Sequence, residues 1–92
     1  MNTLILCETR AKGMKYVDGV LAALPSVEFN RVRGTLTYEN GDVEYFHSTH
    51  ADSNMLLGCY WQRCVQLFPD EWTPSKELLG LVERRIRPEQ EK

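Results

Sequence analysis

The stretch Val32-Arg33-Gly34-Thr35-Leu36-Thr37-Tyr38-Glu39-Asn40-Gly41-Asp42-Val43-Glu44-Tyr45-Phe46-His47-Ser48-Thr49 decides the fold. An Asn-Gly pair tolerates positive φ at both centres of a tight turn, so Asn40-Gly41 predicts a two-residue β-hairpin between alternating runs. That turn sets Tyr38 opposite Val43, Leu36 opposite Tyr45 and Gly34 opposite His47. Val32, Leu36, Tyr38, Val43 and Tyr45 then share one face. Arg33, Thr35, Thr37, Glu39, Asp42, Glu44, Phe46 and Ser48 share the other. Such a ribbon is expected to be packed on its apolar side and wet on its polar side.

Upstream, Val27 and Phe29 alternate in odd phase while Val32, Leu36 and Tyr38 alternate in even phase. Side chains change face at every residue of a strand, so the phase must shift between Asn30 and Gly34; a bulge near Gly34 is the cheapest answer, with a break into two strands as the alternative. Further back, Thr3–Cys7 reads as a strand covered on both faces. Thr9 is a helix N-cap, and Met14, Val17, Val20, Leu21 and Leu24 recur at helical spacing up to Pro25.

Downstream, apolar pairs at 56/57, 60/61, 64/65 and 67/68 predict a helix from Met55 to Phe68, stopped by Pro69. Thr73-Pro74 reads as the N-cap and first position of a last helix, with Leu78, Leu79, Val82 and Ile86 facing inward. The expected fold is α/β (α+β), a two-layer domain of order β-α-β-β-α-α. Its small mixed sheet contains the hairpin, and its helices pack on one face. Residues 1–88 form a single globular domain and residues 89–92 a charged tail.

Composition narrows the function classes. The 92 residues are 42% hydrophobic and 26% charged, as in ordinary folded domains. No apolar run is long enough for a signal core or a membrane span, and the three cysteines are an odd count, so a reducing, cytoplasmic setting is expected. Net charge is −2 but uneven: residues 1–38 carry +2, residues 39–83 carry −6 and residues 84–92 carry +2. An acidic middle weighs against a general nucleic-acid binder.

Candidate chemistry is sparse. Cys7 ends a strand before a helix N-terminus, a setting that favours a thiolate, with Arg10 and Lys12 close by. A phosphatase loop needs arginine six positions later, where Gly13 stands, so Cys7 is read as a buried structural residue. His47, His50, Cys59 and Cys64 offer zinc-ligand types, but residues five apart on a helix point about 140° apart, and no metal is expected. Val65–Glu71 echoes the apolar-strand-then-Asp-Glu pattern of ATPase metal sites, without any G-x-x-x-x-G-K-[ST] to match. No catalytic residue and no cofactor are assigned.

The expected function is therefore a non-enzymatic small binding protein acting stoichiometrically on a protein or ribonucleoprotein complex. Its contacts would be Thr35, Thr37, Glu39, Asp42, Glu44 and Phe46, with Trp72 as an exposed anchor. Compact domains of this size are common among phage accessory proteins that inhibit host nucleic-acid machinery, CRISPR inhibitors included. No residue pattern here marks such a family. One alternative is an RNA- or DNA-contacting module using Arg31, Arg33, Arg84, Arg85 and Arg87, helped by Arg10, Lys12 and Lys15. A second is a thiol enzyme built on Cys7. Oligomeric state is not legible, and no membrane association is expected.

Overall fold

A computed structural model of the protein describes residues 1–48 and 60–87. The elements run β1 (Asn2–Cys7), α1 (Arg10–Ala23), β2 (Glu28–Asn30), β3 (Thr35–Thr37), β4 (Val43–Ser48), β5 (Arg63–Gln66) and α2 (Lys76–Arg85). The strands form one mixed sheet in the order β2-β3-β4-β1-β5. β1 is parallel to β4 on one side and to β5 on the other, while β2, β3 and β4 form an antiparallel meander. The α+β class, the mixed sheet and the hairpin are as the sequence predicts.

β1 is the centre of the molecule. Leu4, Ile5 and Leu6 are almost fully buried, each worth roughly 1.5–3 kcal/mol against exposure. Because side chains alternate, that burial needs cover on both faces. Ile5 and Cys7 pack with Tyr16 of α1, and Leu36 and Val17 join the same side. Leu4 and Leu6 pack with Val82, Leu78 and Leu81 of α2 and with Trp61 and Trp72. The two helices thus cover opposite faces, not the single face expected.

The predicted helix from Met55 to Phe68 is replaced, in its described part, by β5; residues 55–59 lie outside the described residues. A strand buried on both faces cannot leave a row of backbone groups unpaired, and β5 closes the free edge of β1 with Leu4 opposite Cys64 and Ile5 opposite Val65. The spacing of 60/61, 64/65 and 67/68 fits a helix only by coincidence. Trp61 precedes the strand on the α2 side, where it bridges to Ile86.

The phase shift is solved by the break, not the bulge. Asn30 ends β2, and its Oδ1 accepts from the amides of Val32 and Arg33, both at 3.0 Å. Gly34, at φ +66°, closes the turn by donating to the Asn30 carbonyl at 2.8 Å. Phe29 and Leu36 are then opposite each other and both face α1. Val32, expected inside, is 96% exposed at the tip of this turn.

The hairpin register also differs from expectation by one residue. Thr35 pairs with Tyr45, Leu36 with Glu44 and Thr37 with Val43. Only Gly41 takes positive φ, at +93°, so the two-residue turn, which needs it at Asn40 too, does not form. Instead Gly41 donates to the Tyr38 carbonyl at 3.0 Å and Tyr38 donates to Asp42 at 2.9 Å, enclosing three residues. Asn40 Oδ1 fixes the loop by accepting from the Asp42 amide at 2.9 Å. A one-residue slip exchanges faces, and here both faces are covered, so Tyr45 meets the α2 core and Phe46 the α1 core.

Thr9 caps α1 as predicted, accepting from the Lys12 amide at 3.2 Å. The cap of α2 is Ser75, not Thr73; its Oγ accepts from the Leu78 amide at 3.1 Å. With the helix starting later, Leu81 turns inward and Leu79 outward.

Candidate functional site

Among the described residues, one concavity lies at the carboxyl ends of the parallel strands, where open α/β sheets commonly hold ligands. Cys7 ends β1 and Ser48 ends β4 at its back; the first turns of α1 form one wall and the turn after β2 the other. The volume is about 240 Å³. Gly13, Met14 and Val17 of α1 face Phe29 and Phe46 of the sheet to make an apolar floor. Arg10, Arg31 and Arg33 supply the charge, and no carboxylate lines the cleft among the described residues.

Of the neighbouring charges, Lys12 is already paired, and Glu28 lies with Arg31 and Arg33 along an adjoining groove. Lys12 Nζ is held by Glu8 at 2.7 Å and Glu71 at 3.1 Å, which raises its pKa and removes it from the cleft's positive field. The same pair accounts for Glu71 in the acidic segment that echoes ATPase metal sites. That segment is indeed preceded by a strand, β5, yet Glu71 meets a lysine. Arg10, Arg31 and Arg33 make no ion pair among the described residues, so their charge projects outward.

Cys7 is 2% exposed, and its thiol donates to the His47 carbonyl at 3.6 Å. Burial pushes its pKa up, the opposite of what an attacking thiolate requires. His47 is likewise buried, on the α2 side, and burial lowers its pKa. Burial raises Cys64 to about 11. His50 and Cys59 lie outside the described residues, and among the described residues no three His, Cys, Asp or Glu side chains cluster as a metal would need.

The expected partner-binding residues are dispersed. Thr35 is 5% exposed, Thr37 is exposed on the α2 side, and Glu39 and Asp42 are at the hairpin loop. Asp42 pairs with the N-terminal ammonium at 2.8 Å, which lowers its pKa. Glu44 lies on the opposite face, accepting from the hydroxyls of Tyr38 at 2.6 Å and Tyr16 at 3.0 Å. Phe46 packs on Tyr16, ring centroids 5.8 Å apart. Trp72 is 9% exposed in the α2 core, where its Nε1 donates to the Leu67 carbonyl, so it is no surface anchor.

The five arginines of the nucleic-acid reading fall into two groups. Arg31 and Arg33 flank the cleft, joined there by Arg10. Arg84, Arg85 and Arg87 lie at the end of α2 beside Tyr60 and Trp61, at the amino end of β5, across the sheet from the cleft. Arg84 donates to the Gly80 carbonyl at 3.2 Å, and Arg87 donates to the Arg84 carbonyl at 2.9 Å and stacks 4.9 Å over Tyr60. These groups complete a helix end. Among the described residues no helix is long and apolar enough to cross a membrane.

No family model, curated protein or solved structure matches this chain.

Proposed function

We propose that this domain is a non-catalytic binding module for nucleic acid, engaging phosphates through Arg10, Arg31 and Arg33. The observation that carries the reading is the convergence of three arginines, from α1 and from the turn after β2, on one cleft lined by no acid among the described residues. A net charge of −2 is no obstacle, because the nearby field governs encounter when distant charges are screened within about 10 Å. The turn that carries Arg31 and Arg33 is held by three hydrogen bonds that Asn30 accepts, so little conformational freedom is lost on binding.

The protein-partner reading rested on one hydrophilic ribbon face, and the register divides those residues between two faces. Nucleic acid held within a ribonucleoprotein remains compatible with the cleft.

Fluorescence anisotropy with a labelled oligonucleotide, across a salt series, tests the proposal. Affinity is expected to fall linearly with log salt, with a slope of about −0.7 to −0.9 per phosphate contacted. Arg31→Glu/Arg33→Glu is expected to weaken binding more than tenfold, and Arg84→Ala/Arg85→Ala to change it less than twofold. Salt-independent binding, no binding, or equal losses in the two variants would overturn the proposal.

A further inference from the structure

We infer that the cleft receives one unstacked base of a single strand, with the arginines on the phosphates to either side; this rests on the nucleic-acid reading above. A site that met only phosphates would need charge and nothing else. Here the arginines rim a floor made by Met14, Val17, Phe29 and Phe46. Both phenylalanines are only half-buried, so part of each ring stays available to a planar group.

Size selects the occupant. At about 240 Å³ the cleft falls below the roughly 300–1,000 Å³ of sites for drug-sized ligands, leaving room for one heteroaromatic ring system and little more. A duplex keeps its bases stacked inside and presents only backbone, so it would reach the arginines and leave the apolar floor wet. A single strand can turn one base inward, because every base has a π-face to lay on an aromatic ring. Gly13 keeps that wall low, as its backbone already approaches Cys7 and carries no side chain into the cleft. Val32 extends the apolar surface outward between the two arginines of the turn.

The test compares three labelled probes of equal length at one salt concentration: a thymidine single strand, the same strand with abasic sites throughout, and a duplex. The intact strand is expected to bind at least tenfold tighter than the abasic strand. Phe29→Leu, which keeps apolar bulk but removes the ring, is expected to erase most of that difference and leave the salt slope unchanged. A nucleoside monophosphate is expected to compete where ribose 5-phosphate does not. Equal binding of intact and abasic strands, or a duplex bound as tightly as the single strand, would overturn the inference while leaving phosphate binding intact. Failure of all three probes would sink both.

Discussion

Gly13 approaches Cys7 so closely that a Cβ placed on it would meet the Cys7 Sγ at 3.0 Å. That contact sets the distance between α1 and β1, and with it the depth of the cleft. Gly13→Ala gains about 1 kcal/mol of helix propensity but must push a buried sulfur aside, at a cost of roughly 1–3 kcal/mol. A net loss of about 1 kcal/mol is expected from urea denaturation. Gly19, on the same helix with nothing within 4 Å of its would-be Cβ, is the control. Gly19→Ala should raise stability by up to about 1 kcal/mol. Equal effects at both positions would refute the contact.

Tyr16 and Tyr38 both donate to Glu44, and burial first, then the carboxylate, pushes both phenols above their ordinary value of 10.0. The sign follows from proton counting. Between the unfolded and folded values the native state holds more protons, so stability falls as pH rises. The contribution is complete below about pH 10 and is lost progressively above it. Denaturation midpoints measured from pH 9 to 11.5 are therefore expected to fall, and to fall less steeply in Tyr38→Phe. Phenolate absorbance should show two tyrosines ionising late. A Tyr38→Phe profile parallel to the parent would exclude the linkage.

The burial of Cys7, the partial burial of Cys64 and the raised pKa of both predict that they react slowly with iodoacetamide at pH 8 in the native state. Peptide mapping by mass spectrometry should show both labelled at rates that rise steeply in urea. Fast labelling of Cys7 without denaturant would restore the thiol-enzyme alternative.

Legibility in the sequence followed the range of the determining interactions. β1 and α1 were readable because a continuous apolar run, a capping Thr9 and a stopping Pro25 are local signals. The need for a phase shift between Asn30 and Gly34 was readable from the conflict of Phe29 with Leu36. The sequence favoured a bulge over the break that forms, because the break depends on a turn held by hydrogen bonds that Asn30 accepts. β5 was not, since Cys64 and Val65 become a strand by meeting Leu4 and Ile5 some sixty residues earlier, and no local pattern encodes that partner. The hairpin was found but misregistered, because the two-residue reading assumed one wet face where β4 has cover on both. As for the cleft, Arg31 and Arg33 were visible as charges. Their meeting with Arg10 depends on where the turn after β2 falls relative to α1, which only the assembled sheet determines.

The central strand has a consequence for how the chain is made. β1 leaves the ribosome well before its two neighbours, residues 43–48 and 63–66. Until then a run of Leu, Ile, Leu and Cys is exposed with both hydrogen-bonding edges vacant, the kind of segment that seeds association between nascent chains. The sheet therefore cannot close around β1 until residues 63–66 have been made, and chains stopped before β5 should be the ones that chaperones retain.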